Sequence, residues 1–388
     1  MRKTIAIMLC LASPSWAGFS YYLPITIDHA KCGSADSSGF PVVINTANAS
    51  TATKNALKVV GSSGHVQSSS GYDVYFYSDA SLSTRIPAER VTWDGTTGIG
   101  EWWAKRDVSA SVDRLIYMAY GDSSISSDPN SDGTYGKTSV WDSNFKGVWH
   151  LPDGTSLTAN DSTSFGNNGT ITSVSAVAGQ VDGAMSISAG NQIVDMGTGV
   201  ADLTSDFTIS GWFNRDAAAA ADRIGLYSRW TDLSTNRQIF IYFNGTSNNK
   251  INVDIPFIEG ELLTTSTFAP GSGWNNYFVT KSGTTWAIYI NGNTTPEATS
   301  TQVLSQETGG KVTLGNWIFN YGGAQLTVKG YIDETKISDT ARSTSWIASE
   351  YNNQAIPDKN ASASGFYTVG TEVPLSGACM PPFCGIIQ

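Results

Sequence analysis

Short apolar or strictly alternating runs, separated by Gly, Asn, Asp and Ser, recur along this chain. A period of two puts successive side chains on opposite faces of a strand, so the pattern predicts β-structure. In the first part the runs are residues 22–27, 40–44, 73–77, 101–105 and 115–120, rich in β-branched and aromatic side chains. Together they suffice for one antiparallel sandwich. Residues 121–138 are polar and carry Asp-Pro-Asn and Asp-Gly turn signals, which predicts an exit loop and a boundary near Phe145. The second part continues with runs at 207–213, 238–243, 250–255, 277–280, 286–290, 311–314 and 330–337. The 286–290 run meets Asn291-Gly292, a type I′ hairpin signal. One helix is predicted: Ser343 can cap it, Trp346, Ile347, Glu350 and Tyr351 share one side, and it should end near Asn352-Asn353. Trp149, Trp212 and Trp286 sit on expected strands and read as core, and alternation sends one of Trp102 and Trp103 inward and the other outward.

Length refines this picture: 388 residues suit two domains. Charged residues make up 14% of the chain, against roughly 25% in soluble proteins generally, so hydroxyls and amides carry its solubility. The net charge of −10, with no basic run beyond Arg2-Lys3, argues against nucleic acid as a partner. Those two cations precede the apolar residues 5–12 and the small-x-small triplet Ser15-Trp16-Ala17, which predicts a signal peptide cut after Ala17. No later segment has about 18 consecutive apolar residues, so no transmembrane span is expected. Export implies an oxidising compartment: extracellular, cell surface or periplasm. Of the remaining cysteines, Cys379 and Cys384 could close a small loop, leaving Cys32 free or linked to another chain. A bridge from Cys32 to the tail is equally allowed.

Glycan recognition needs an aromatic platform beside amide or carboxylate partners. Trp317 and Tyr321, flanked by Asn316 and Asn320, lie on a segment joining two strands, and Trp230 falls on a second expected loop. His29, His65 and His150 fall in no nucleophile motif, and His150, following Trp149 on an expected strand, reads as a packed or edge histidine.

Five segments of the second half occur in an order that resembles the laminin-G-like, concanavalin-A-like jelly rolls. They are 147–151, the loop 160–170, the strand 207–213, the hairpin strand 286–292, and the closing signature from Gly330-Tyr331-Ile332-Asp333-Glu334 to Tyr351-Asn352. The first half, through residues 25–27, 40–44, 73–76, 120–122 and 140–145, resembles the exported domain family DUF2341. The jelly-roll resemblance implies a structural calcium ion, with carboxylates from Asp161 and Asp333 and loop carbonyls around Asn168. The residues alone equally allow Asp161 as a turn former and Asp333 as an acceptor of backbone amides. Retaining glycanases of this superfamily use an E-x-D-x-E strand, whose spacing puts all three carboxylates on one face. No such triplet occurs; Glu259-Gly260-Glu261 is the nearest approach and reads as a solvated loop.

The expected protein is all-β: a signal peptide (1–17), an N-terminal antiparallel β-sandwich (18–145), a concanavalin-A-like jelly roll (146–373) and a Cys- and Pro-containing tail (374–388). The expected function is non-catalytic binding or adhesion, with a glycan or a cell-surface or matrix protein as partner. A self-associating structural part of an extracellular assembly (an appendage, matrix or virion) is one alternative. A divergent glycan-degrading enzyme is the other.

Overall fold

The computed structural model describes residues 18–152, 157–190, 192–200, 202–218, 223–230, 237–244, 249–254, 262–301, 310–315, 329–358 and 365–375. Among them the chain forms two β-sandwiches, each of two sheets with antiparallel pairing. In the N-terminal sandwich one sheet holds Tyr21–Ile27, Arg114–Tyr120 and Tyr75–Tyr77, and the facing sheet holds Ser37–Asn45, Ile99–Val108 and Ala88–Asp94. Leu23, Ile25, Ile116 and Met118 from the first sheet meet Phe40, Val42, Ile44 and Trp102 from the second.

The outer edge of Tyr21–Ile27 is closed by the far end of the chain. Tyr367–Val369 pairs with residues 25–27, and Val373–Pro374 pairs with residues 21–22. The boundaries expected from sequence placed these segments in the jelly roll and the tail; the structure builds both into the first sandwich.

The jelly roll stacks an eight-stranded sheet on a seven-stranded one. At the centre of the former, Phe207–Arg215 lies between Trp274–Ser282 and the closing strand Gly330–Ser338. Its Phe207, Ile209 and Phe213 enter the core with Trp149, Trp286, Ile332 and Ile337. Asn291 and Gly292 adopt the positive φ angles, 51° and 69°, that a type I′ turn demands.

The helix Thr344–Ala355 forms where expected, with Ser343 Oγ accepting from the Trp346 amide at 3.2 Å. It is clamped against both sandwiches. Trp212 stacks on its Tyr351, with ring centroids 5.6 Å apart. Its Asn353 side chain accepts from Val43 N at 3.1 Å and donates to Pro41 O at 3.0 Å, taking the place of a neighbouring strand. Gly33 lets the chain pass close beneath this helix, because a Cβ there would lie 2.4 Å from Ser345 O. Two short helices not expected from sequence, Thr51–Ala56 and Lys137–Val140, accompany it. The second ends the predicted exit loop, which packs against Ala88–Asp94 through paired Asn130–Arg90 bonds of 2.8 Å.

The outward face of the Ile99–Val108 sheet is covered around Glu101 and Trp103. Alternation does send Trp102 and Trp103 to opposite faces, yet they are 1% and 0% exposed. Trp102 fills the first sandwich, while Trp103 packs against Trp141 and His150 at the junction with the second. Cys32 is a buried free thiol, which burial pushes up to about 12, so it sits in the core and not where a second chain could reach it. Cys379 and Cys384 lie outside the described residues. No helix among the described residues is long and apolar enough to cross a membrane.

Candidate functional site at the junction of the sandwiches

The junction brings buried charged side chains of both sandwiches into one cluster: Glu89, Glu101, His150, Glu334 and Lys336 are all at most 5% exposed. On Ile99–Val108, Glu101 and Trp103 are two residues apart and share a face. Glu89 stands opposite Trp103 on the neighbouring strand. His150 follows the strand Phe145–Trp149. From the other side comes Gly330–Ser338, whose Ile332 and Ile337 both enter the core although five residues apart. A strict alternation would place them on opposite faces. A bulge opposite Gly211 resolves this, with Glu334 at φ 51°, a backbone conformation that costs a non-glycine residue roughly 1–2 kcal/mol. It turns Glu334 and Lys336 toward the first sandwich.

These groups form one connected network. His150 Nδ1 lies 2.7 Å from Glu334 Oε1, and its Nε2 lies 3.4 Å from Glu89 Oε2. Lys336 Nζ donates to Glu334 Oε2 at 2.7 Å and lies 3.7 Å from Glu350 Oε1. Glu89 also accepts from Trp141 Nε1 at 3.0 Å and from Ser162 Oγ at 2.5 Å. Glu101 Oε1 accepts from Trp103 Nε1 at 2.6 Å, while its buried Oε2 has no partner.

Charge placement separates their titration. Burial, then the Glu334 charge, push the Glu101 carboxyl well above the usual carboxylate range. Burial works the same way on Glu334, but the His150 and Lys336 charges outweigh it and hold that carboxyl low. Burial opposes a charged His150, yet Glu334 and Glu89 raise it well above an ordinary imidazole. Lys336 is raised likewise against its burial, by Glu334 and Glu350. One carboxyl held protonated beside one held ionised is an arrangement that acid–base catalysis uses. Here it is sealed: Glu101 and Glu334 are 0% and 1% exposed, beneath Trp103 and Lys336. The adjoining cleft, of about 160 Å³, is lined by Glu89, Arg90, Lys137, His150, Asn160 and Ser162. That is below the roughly 300–1,000 Å³ of small-molecule sites. The arrangement therefore fixes the two sandwiches together.

Two trios carry metal-ligating atoms within 4.8 Å of one another: Glu101, His150 and Glu334, and Asp28, His29 and Asp113. In the first, the Lys336 ammonium already supplies a cation to Glu334. In the second, His29 Nδ1 bonds Asp113 at 2.6 Å and Asp28 caps the Ala30 amide at 2.9 Å.

Asp161 spends both oxygens on protein donors. Oδ1 accepts from Val148 N and Thr163 N, and Oδ2 from Thr163 Oγ1 and Asn167 N, all within 3.1 Å. Asp333 Oδ2 accepts from Gln180 N and Val181 N, and its Oδ1 is buried without a partner. The two carboxylates share no hydrogen-bond partner. Four donors already fill the Asp161 lone pairs, so the residues present do not fit a calcium ion bridging Asp161 to Asp333. EDTA is accordingly expected to leave the melting temperature unchanged; a fall reversed by added calcium would contradict this.

Trp230, expected on a loop, is the last residue of the strand Arg223–Trp230, and its side chain lies outside the described residues. It pairs with Lys311, whereas Gly315, just before Asn316, pairs with Gly225. Trp230 and Gly315 therefore lie at opposite ends of these paired strands. Asn316, Trp317, Tyr321, Glu259 and Glu261 lie outside the described residues. His65, which the sequence left without a role, stacks on Tyr21 with ring centroids 4.0 Å apart and bonds Glu372 at 2.6 Å. Glu89, Glu101 and Lys336 were not singled out from sequence. The odd spacing of Ile332 and Ile337 around three charged positions was the one signal of a bulge with buried charge.

Residues 188–348 match the family model described as the Concanavalin A-like lectin/glucanases superfamily. Among solved structures, domain 4 of AbnA, an extracellular arabinanase from Geobacillus stearothermophilus in complex with arabinotriose, is 17% identical. The match covers 53% of this chain and 97% of that one, with a TM-score of 0.39. The binding domain of Paraclostridial Mosquitocidal Protein 1 is 18% identical over 54% of this chain and 52% of that one, at 0.40. Trypanosoma rangeli sialidase in complex with sialic acid is 10% identical over 68% and 44%, at 0.42. No curated protein matches the chain.

Proposed function

We propose that this is an exported, non-catalytic binding protein whose jelly roll recognises a glycan on a surface or matrix partner. The superfamily matched by residues 188–348 contains both lectins and glucanases. The observation that favours binding is the sealing of Glu101 and Glu334. This carboxyl pair has the split titration hydrolysis uses, but no sugar can reach it through Trp103 and Lys336. The sequence contains no E-x-D-x-E strand to take its place. The binding groups in this reading are Trp317, Tyr321 and Asn316, with Trp230 as a second contact.

A glycan array probed with the intact protein tests the reading. The expected result is binding to a restricted set of glycans, weakened at least tenfold by Trp317→Ala combined with Tyr321→Ala, with no released sugar. A blank array would sink the binding reading. Release of reducing ends from β-glucan, lost in Glu259→Gln or Glu261→Gln, would replace it with hydrolysis.

A further inference from the structure

We infer a second ligand site on the N-terminal sandwich, for an uncharged glycan, in a groove of about 340 Å³ between residues 67–72 and 123–126. It stands on its own observations and does not need the jelly-roll reading. Its volume lies within the roughly 300–1,000 Å³ of small-molecule sites, unlike the cleft at the junction. No charged side chain contributes to its lining. Five hydroxyls line it, from Ser68, Ser69, Ser70, Ser123 and Ser126, with the Gln67 amide. Tyr72 and Ile125 add aromatic and aliphatic surface. A sugar ring presents CH groups to the latter pair and hydroxyls to the former, and no cation lines the groove to pair with an anionic ligand.

The groove is pre-formed, which lowers the ordering cost of binding. Asp73, 0% exposed, holds both walls with one carboxylate. It accepts from Gln67 N and Ser68 N at 2.8 Å on one wall, and from Gly121 N at 3.0 Å at the root of the other. Gly71, at φ +67°, lets the first wall lie against Trp93, where a Cβ would come within 2.7 Å of the indole. The Arg90 guanidinium sits 5.0 Å from the centre of the Tyr72 ring and steadies it. Asp122 Oδ1 accepts from the Ser124 amide at 2.9 Å and its hydroxyl at 2.6 Å, which fixes the second wall.

The test uses the intact protein on an array of neutral glucose-, mannose-, galactose- and arabinose-based oligosaccharides, with sulfated and sialylated probes alongside. Ser69→Trp fills the groove from an exposed position, so its melting temperature should match the wild type. Tyr72→Ala removes the aromatic surface. Both are expected to weaken binding to a subset of neutral probes at least tenfold, and that subset should be retained by Trp317→Ala with Tyr321→Ala and be insensitive to about 0.5 M salt, which screens exposed charges. The inference is overturned if both groove variants bind every neutral probe as the wild type does. It is also overturned if no neutral probe binds, or if only anionic probes respond to Ser69→Trp. Loss of signal in the jelly-roll variant alone would leave the function proposed above standing and remove this site.

Discussion

Replacing Glu334 by alanine is expected to destabilise the protein by about 3–5 kcal/mol, the usual cost of removing one partner from a buried ion pair. Glu334 answers both His150 and Lys336, each at 2.7 Å. Without it, His150 keeps Glu89 at 3.4 Å, and Lys336 keeps Glu350 at 3.7 Å and the backbone carbonyl of residue 334 at 3.5 Å. The loss reflects orphaned charge more than the net worth of the pair. Replacing Glu334, His150 and Lys336 together by Leu, Leu and Met should therefore recover much of it. Urea unfolding at pH 7 measures both variants. A Glu334→Ala loss below about 1 kcal/mol would mean that the junction behaves like a hydrated surface.

The same network sets the response to pH. The folded pKa of His150 is raised, so its contribution is complete below the ordinary imidazole value and is lost as pH rises through the raised one. Glu101 has the same sign: above the usual carboxylate range the unfolded chain ionises it while the folded chain keeps the proton. Glu334 has the opposite sign, contributing above the usual carboxylate range and losing that contribution as pH falls through its lowered value. Stability should decline toward alkaline pH. In Glu334→Ala the part of that decline due to His150 should be smaller and be complete at lower pH, because His150 has lost the stronger of its two carboxylate partners.

Local rules made much of the fold legible. The runs at 22–27 and 207–213 alternate and form strands; Trp149 and Trp286 join the jelly-roll core as expected, whereas Trp212 alternates to the other face and is buried against Tyr351 of the helix. The Ser343 cap and the Asn291-Gly292 turn are decided within a few residues. The strand Ala88–Asp94 was not legible, because Glu89, Arg90 and Asp94 break its apolar pattern. Glu89 is tolerated only because Trp141, His150 and Ser162, 52 to 73 positions away, meet it in the folded chain. Trp102 and Trp103 do take opposite faces as alternation predicts, but alternation gives only the face, and tertiary structure decides that Trp103 is covered by Trp141 and His150. The candidate site was hidden more deeply, since its two halves lie on strands more than two hundred residues apart. His150, read as a packed or edge histidine, is packed among carboxylates that no local pattern associates with it.

A fragment of residues 18–145, the first sandwich as its boundaries read in the sequence, is expected not to fold, while residues 18–375 should unfold in one cooperative transition. The fragment keeps the strands Tyr21–Ile27, Ser37–Asn45 and Ile99–Val108 but loses the closing edge at Tyr367–Val369. It also loses Val148, Val181, Trp346, Phe366 and Tyr367, all part of the same buried cluster. Burying five such side chains contributes on the order of 10 kcal/mol at about 1.5–3 kcal/mol each, comparable to the roughly 5–15 kcal/mol net stability of a whole domain. Polar contacts go with them: the Tyr367 hydroxyl accepts from Asn45 N at 3.0 Å and donates to Asn45 O at 3.1 Å, and the Asn353 amide pairs with the Pro41–Val43 backbone. Circular dichroism and dye binding to exposed apolar surface distinguish the outcomes. A sharp thermal transition in the 18–145 fragment would show that the first sandwich is self-sufficient. Tyr367→Ala in the longer chain offers an independent check, with an expected loss of about 3–5 kcal/mol for truncating a fully buried aromatic side chain. A loss confined to fraying of Tyr367–Val369, with the Trp103 environment unchanged by fluorescence, would mean that the returning strand covers the first sandwich without completing it.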